Sequence, residues 1–405
     1  MEFAFTDEQQ MIRDTAEAFL KDTSTSEAVR AAMVTELGYD AELWQRLCGE
    51  MYWQAIHIPE AYGGLGLSYV ELVAIMEQMG RYLLCAPYFS TVCLATNALL
   101  CAGTEDQKAQ HLGAICEGRR ATLAWQSGRD GSAAGVSARY RQEGGDYILN
   151  GDYRYVVDGH SAELLILAAR TEGSIGNDGI SLFAVDADSA GLSRELLTTL
   201  DQTRRQATVA ASDLRLPASA LLGEEGQGGA ALEKTLQLAT VALAAEQTGG
   251  MQQLLDSTVD YTLERKQFNR PIASFQSIKH KAADMMMRNE VARSAIYYAA
   301  CVADEALTGG PLADELAEAA SIAKAWCSEA YFKNAGEALQ MHGGVGFTWE
   351  YDVHLYFKRA KASEHLLGNS DEHRERVAKL LLDGDVAALQ APRAGRPKQA
   401  KRERA

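Results

Sequence analysis

The chain changes its hydrophobic rhythm twice, and those two changes restrict its fold more than any single motif does. From Thr6 to about residue 118, apolar residues return every three or four positions, as Ile12, Ala16, Phe19 and Leu20 do, and Thr6 with Gln9 makes a capping box that starts the first helix. Between about Ala121 and Ala218 the texture becomes short apolar runs separated by Gly, Asp and Asn, such as Tyr147 to Leu149, Leu164 to Ala169 and Ile180 to Val185, which predict strands. Beyond the glycine-rich stretch Gly223 to Gly229, alanine-rich helical periodicity returns and runs to about Leu382. The predicted class is α+β, with a helical domain over 1–118, a β domain over 119–222 and a helical bundle over 223–385. Residues 386–405 form a predicted disordered basic tail, since Ala391 to Ala405 holds six Lys or Arg against one Glu.

With 405 residues and 47% hydrophobic content, such a chain buries its core without disulfide or metal staples. A net charge of −16 excludes a nucleic-acid binder, which needs a basic face for phosphate. No run approaches the roughly 20 apolar residues of a membrane span, and the acidic start MEFAFTDEQQ is unlike a signal peptide, so a cytoplasmic chain is expected. The seven cysteines show no ligand spacing, which predicts reduced thiols and no metal site.

Two C-terminal stretches carry chemistry. The first runs from Arg265 through Phe268 to Gln276, and the second from Gln340 through His342, Gly343 and Gly344 to Tyr351. Arg265 can donate to a diphosphate, Phe268 can pack on a cofactor, Gln276 and Gln340 can hydrogen-bond, and Gly343-Gly344 lets backbone approach a charged ligand. Taken singly, each has a plainer reading: an ion pair of Arg265 with Glu264, or a helix-ending Gly-Gly turn. Taken together and in this order, they resemble signature stretches of the acyl-CoA dehydrogenase family. Pro59-Glu60-Ala61-Tyr62-Gly63-Gly64, the hairpin Gly144 to Gly151 and Gly223 to Gly229 extend the resemblance over nearly the whole chain. It implies that family's fold, with a helical N-terminal domain, a β-barrel-like middle domain and a C-terminal four-helix bundle. It also implies FAD, an acyl-CoA substrate, electron-transfer flavoprotein as electron acceptor, and a tetramer in which the two stretches reach the FAD of a neighbouring chain.

The resemblance fails where a chain would serve its own flavin. Dehydrogenating the Cα–Cβ bond of a thioester needs a base for the α-proton, a contact for the carbonyl oxygen and a flavin poised for the β-hydride. In place of the family's Thr-Glu-Pro-x-x-Gly-Ser-Asp run stands Trp125 to Ser132, and in place of Trp-Ile-Thr stands Tyr155-Val156-Val157. His354 takes the place of the Glu in Tyr-Pro-x-Glu, read as the base, and Ala239 the alternative base position on a preceding helix. Gly-Thr-x-Gln is replaced by Gly368-Asn369-Ser370-Asp371. Glu246, two turns beyond Ala239, reads as a buried hydrogen-bonded or interface residue. The small residues from Ala239 to Gly250 leave room for a ring-bearing acyl group or serve close helix packing.

These losses imply one subunit of an α₂β₂ enzyme paired with a homologous subunit, in the style of sterol or bile-acid side-chain degradation. The alternatives are a self-sufficient homotetramer with His354 as base, and a non-enzymatic relative that binds acyl thioesters or acts as a scaffold.

Overall fold

A computed structural model describes residues 6–128 and 130–382. The predicted basic tail lies outside the described residues. Among the described residues the first domain holds six α-helices: α1 (Asp7–Thr23), α2 (Ser26–Met33), α3 (Ala41–Gly49), α4 (Tyr69–Arg81), α5 (Asn97–Ala102) and α6 (Glu105–Cys116), with a π-helical segment Phe89–Thr96 leading into α5. The capping box on α1 is present: the Thr6 hydroxyl accepts from the Gln9 amide while the Gln9 side chain accepts from the Thr6 amide. A second box, Thr104 with Gln107, starts α6.

The strands are β1 (Ala121–Ala124), β2 (Arg139–Glu143), β3 (Asp146–Val157), β4 (Leu164–Thr171), β5 (Ile180–Asp186), β6 (Leu192–Leu196), β7 (Gln206–Leu216) and β8 (Leu221–Leu222). They form one sheet in the order β6-β7-β3-β2-β4-β5-β8, with β1 parallel to β4. The predicted hairpin is β2–β3, whose turn is Gly144-Gly145, both in the left-handed region that glycine tolerates. Along β4 the side chains divide by parity. Leu164, Ile166 and Ala168 join the main core with the helices, and Leu165, Leu167 and Ala169 join a second core on the other face. A strand buried on both faces has no polar alternation, which is why this stretch reads as an unbroken apolar run.

Long helices follow: α7 (Gly228–Glu264), α8 (Gln276–Thr308), α9 (Leu316–His342), α10 (Val353–His365) and α11 (Ser370–Leu382), with the two-stranded hairpin β9 (Lys266–Gln267) and β10 (Arg270–Pro271) between α7 and α8. Glycines bring α4 and α7 into backbone contact. A Cβ on Gly249 would lie 1.7 Å from the Glu77 carbonyl oxygen, and one on Gly80 would lie 1.9 Å from that of Glu246. Ala242, Ala244 and Ala245 are fully buried, and Gly250 faces the Tyr331 ring. The small residues therefore serve helix packing, and the expected room for a bulky ligand along this run is filled by protein.

Candidate functional site

Three places matter: an outward edge at the end of α7, the region facing Trp125 to Ser132, and a buried ion cluster where the helical and β layers meet.

On the outward edge, Arg265 leaves α7 and enters the β9–β10 hairpin. Its two turn residues, Phe268 and Asn269, have φ of 52° and 63°, the type I′ geometry that matches strand twist and favours Asn-Gly. A phenylalanine held there costs about 1 kcal/mol, and the ring is left 86% exposed. Phe275 meets Phe268 edge-on at 6.0 Å, with the Arg270 guanidinium 4.0 Å from the Phe275 ring. Among the described residues the side chains of Arg265, Gln276 and Gln340 have no hydrogen-bond or ion-pair partner, so the plain reading of Arg265 as the partner of Glu264 does not hold.

Gln276 starts α8 and Gln340 lies near the end of α9; because the two helices run antiparallel and pack together, both glutamines fall at the same end. Gln340 also borders an open groove of about 920 Å³ that Lys281, Phe332 and Phe357 help to line. Gly343 has φ 64°, and nothing lies within 4 Å of a Cβ on Gly343 or Gly344, so a ligand can approach this backbone. His342 is placed differently from the other candidates. It is buried, its Nδ1 donates to the Ala338 carbonyl at 2.8 Å, and its ring stacks on Tyr261.

Most side chains of the Trp125 to Ser132 region bond within it, while the Ser127 hydroxyl is buried without a partner among the described residues. The Trp125 indole donates to the Gly131 carbonyl at 2.8 Å, the Gln126 amide turns back to the Gly128 carbonyl at 2.8 Å, and Asp130 accepts from the Ser132 amide and hydroxyl. Tyr155 sits in a bulge where β3 and β7 slip register between Tyr153 and Val156, and its φ of 59° turns the half-exposed ring outward. Val157 is fully buried, and its carbonyl accepts from the Thr122 hydroxyl at 2.6 Å.

Beside this loop a cavity of about 220 Å³ lies among α7, α9 and α11, lined by Leu236, Thr240, Ser321 and Leu367. Ala239 on α7 is fully buried and is not among the residues that line it. His354 does not line this cavity. It lies under Trp349, rings 4.8 Å apart and edge-on, with Nε2 buried and unpartnered. Burial, then Lys358 and Arg30, push its pKa below the ordinary histidine value. The residue that the α10–α11 turn does present to the cavity is Leu367, held at φ 63° with its carbonyl accepting from His373 Nε2 at 2.9 Å. Sequence reading passed over Leu367, since a leucine before Gly368 carries no chemical signal. It also passed over Glu233, the one carboxylate among the described residues lining the cavity, whose Oε1 accepts from Gln237 at 3.4 Å.

The ion cluster fills the seam between α4, α7, α10 and the β6–β7 loop. Arg359 donates to Asp201 and the Thr203 hydroxyl, each at 2.9 Å, and to Glu246 at 2.7 Å, while Arg204 binds the second Glu246 oxygen. Burial pushes the Glu246 carboxyl up, but Arg204 and Arg359 outweigh it and hold the group below its ordinary value. Asp158, bonded by the Ser90 hydroxyl at 2.7 Å, is pushed up by burial to about 6. The space left among these groups is about 20 Å³, room for about one water.

A helical N-terminal domain, a central sheet and a helical C-terminal domain, with this glycine-turn and hairpin edge, define a class: the chain belongs to the acyl-CoA dehydrogenase family, flavin-dependent oxidoreductases of acyl-CoA thioesters. Residues 6–119 match the model of the acyl-CoA dehydrogenase N-terminal domain and residues 226–382 that of the C-terminal domain. The chain is 32% identical over 372 residues to the acyl-CoA dehydrogenase IpdE2 of Mycolicibacterium smegmatis, covering 92% of this chain and 98% of that protein. Among solved structures it resembles the Tcur3481-Tcur3483 steroid ACAD, with TM-score 0.83, 30% identity and coverage of 94% and 99%. It also resembles the ChsE4-ChsE5 complex from Mycobacterium tuberculosis, with TM-score 0.82, 26% identity and coverage of 95% and 100%.

The cofactor of the family is FAD. The outward edge fits the phosphate and nucleotide end of such a group: it offers an unpartnered guanidinium, two unpartnered amides and glycine backbone open to approach. The Trp125 to Ser132 region fits a flavin ring poorly, because the Trp125, Gln126 and Ser132 side-chain donors bond within the loop and the Val157 side chain offers none.

Proposed function

We propose that this chain is the non-canonical subunit of a heteromeric acyl-CoA dehydrogenase and completes the FAD site of a homologous partner. One observation carries the reading: the groups suited to a cofactor point outward without partners, while at the positions that would serve a flavin of the chain's own, Trp125, Gln126 and Ser132 bond within their loop and Val157 and Ala239 are apolar. When bound, FAD would supply the hydride acceptor; this chain's part is to hold the cofactor. Arg265 neutralises and orients the diphosphate, Gln276 and Gln340 fix the nucleotide end, Gly343-Gly344 admits it to backbone distance, and Phe268 covers it from water.

The base comes from the partner, because neither Leu367 nor Ala239 can take a proton and His354 lies away from the cavity. The likeness to a steroid enzyme and to a two-component complex supports a ring-bearing acyl thioester as substrate and a related chain as partner. That acyl group sits in the partner, since the small-residue run here is packed solid. Electron-transfer flavoprotein is the proposed electron acceptor.

A second reading is favoured by Glu233 alone: a homotetramer in which this carboxylate, facing the 220 Å³ cavity, serves as base. Glu233→Gln separates the two. A flavin-loaded assembly keeps its turnover under the first reading and loses about a hundredfold or more under the second.

A further inference from the structure

Both elements of the outward edge must meet one cofactor, yet they belong to different parts of the chain, 78 residues apart between Arg265 and Gly343. The hairpin hangs from the end of α7, and the glycine turn from the end of α9. One residue links them, through its backbone on the hairpin side and its side chain on the turn side. Tyr261 stands one turn before Arg265, whose amide donates to the Tyr261 carbonyl at 2.9 Å. Its ring lies flat on His342, centroids 4.3 Å apart and planes 17° apart, and its hydroxyl donates to the His342 carbonyl at 3.2 Å. That carbonyl ends α9, where the helix supplies no amide to bond it, and it belongs to the peptide that enters Gly343. Tyr351 closes the cluster, edge-on to both rings at 5.8 Å.

We infer that Tyr261 is a positioning residue, which fixes the Arg265 hairpin and the Gly343-Gly344 turn in one relation so that they grip the same FAD. The inference rests on the reading that this edge serves a neighbouring chain's cofactor. It accounts for His342 as well. Because Nδ1 donates to the Ala338 carbonyl and the ring faces Tyr261, His342 orders the turn and does not itself hold the ligand. Gly343 is the position where such order is needed most: at φ 64° and ψ −142° it occupies backbone space open to glycine, and a Cβ there would meet nothing within 4 Å. Left without Tyr261, the His342 carbonyl loses its side-chain donor, and the turn is held by the Gly343 amide on the Leu339 carbonyl and by Thr348 on the Val345 carbonyl.

The test uses Tyr261→Leu, Tyr261→Phe and Arg265→Ala in the assembly that carries FAD, whether formed with a partner chain or with further copies of this one. FAD affinity is read by titrating the deflavinated assembly, and amide hydrogen exchange is read on the full chain. Tyr261→Leu is expected to weaken FAD binding about tenfold, to speed exchange at residues 343–347 and 265–272, and to leave exchange in the sheet unchanged. Tyr261→Phe, which keeps the stack, falls between Tyr261→Leu and the parent.

Three results overturn the inference. In the first, Arg265→Ala loses FAD while Tyr261→Leu binds as the parent does, and the inference fails alone. In the second, Tyr261→Leu speeds exchange uniformly, and the residue is merely structural. In the third, neither variant changes FAD affinity, and the proposed role of the whole edge fails with it.

Discussion

Glu246 on α7 and Arg359 on α10 are joined at 2.7 Å, with both side chains almost fully buried, in a seam that also holds Arg204 and Asp201. The pair explains why a glutamate can sit in an otherwise apolar stretch of α7 without being a catalyst. Each carboxylate oxygen has its own guanidinium, and desolvation is offset only while every member remains.

Glu246→Leu therefore leaves two buried cations with one shared anion fewer. It is expected to destabilise the chain by about 3–5 kcal/mol, measured by urea unfolding. A loss under about 1 kcal/mol would show that the cluster is solvated and that the seam is open.

Lys324 supplies a pH test. Burial pulls its pKa down to about 7 and outweighs the upward pull of Glu364 and Glu372, and its ammonium bonds the Ser328 hydroxyl and the carbonyls of Ser363, Glu364 and Gly368. Because the folded value lies below the ordinary 10.5, the unfolded chain binds more protons between those two values, and stability contributed by this group rises with pH across that window. The stability difference between the parent and Lys324→Met is expected to grow by about 1.4 kcal/mol per pH unit from pH 8 to 10. A flat difference would mean that the lysine titrates normally.

Two glycines on neighbouring helices should respond oppositely. Gly249→Ala places a methyl group against the Glu77 carbonyl and is expected to cost about 2 kcal/mol. Gly336→Ala, in α9 with nothing within 4 Å, is expected to stabilise by about 0.5–1 kcal/mol. Thermal unfolding of the two variants beside the parent checks both signs.

His354 gives a sharper functional test. Because it lies under Trp349 and away from the cavity, His354→Gln in the flavin-loaded assembly should leave turnover within about twofold, whereas loss of a general base costs about a hundredfold or more. A loss of that size would place the base on this chain.

Much of this was legible in the residues. Periodicity marked the helix, strand, helix order, because amphipathic helices and half-buried strands write their geometry into single residues. The Thr6 and Gln9 box was readable because both partners lie within one turn. What stayed hidden depends on distant chain segments. The small residues of α7 are compatible with a ligand or with a neighbouring helix until α4 is seen against them. Arg359 lies in Lys358-Arg359-Ala360-Lys361, which resembles a solvated basic face, yet its buried role is set by Asp201 from the sheet layer. His354 drew attention through its neighbours in sequence, whereas the residue facing the cavity, Leu367, is chemically silent.

The central claim is that this chain lends residues to a flavin it does not hold by itself. The measurement is the flavin absorbance spectrum and FAD content of the chain purified alone and with a homologous acyl-CoA dehydrogenase subunit. The account predicts a colourless chain alone and a yellow assembly with half as many FAD molecules as chains. A yellow chain purified alone, with as many FAD molecules as chains, would contradict it.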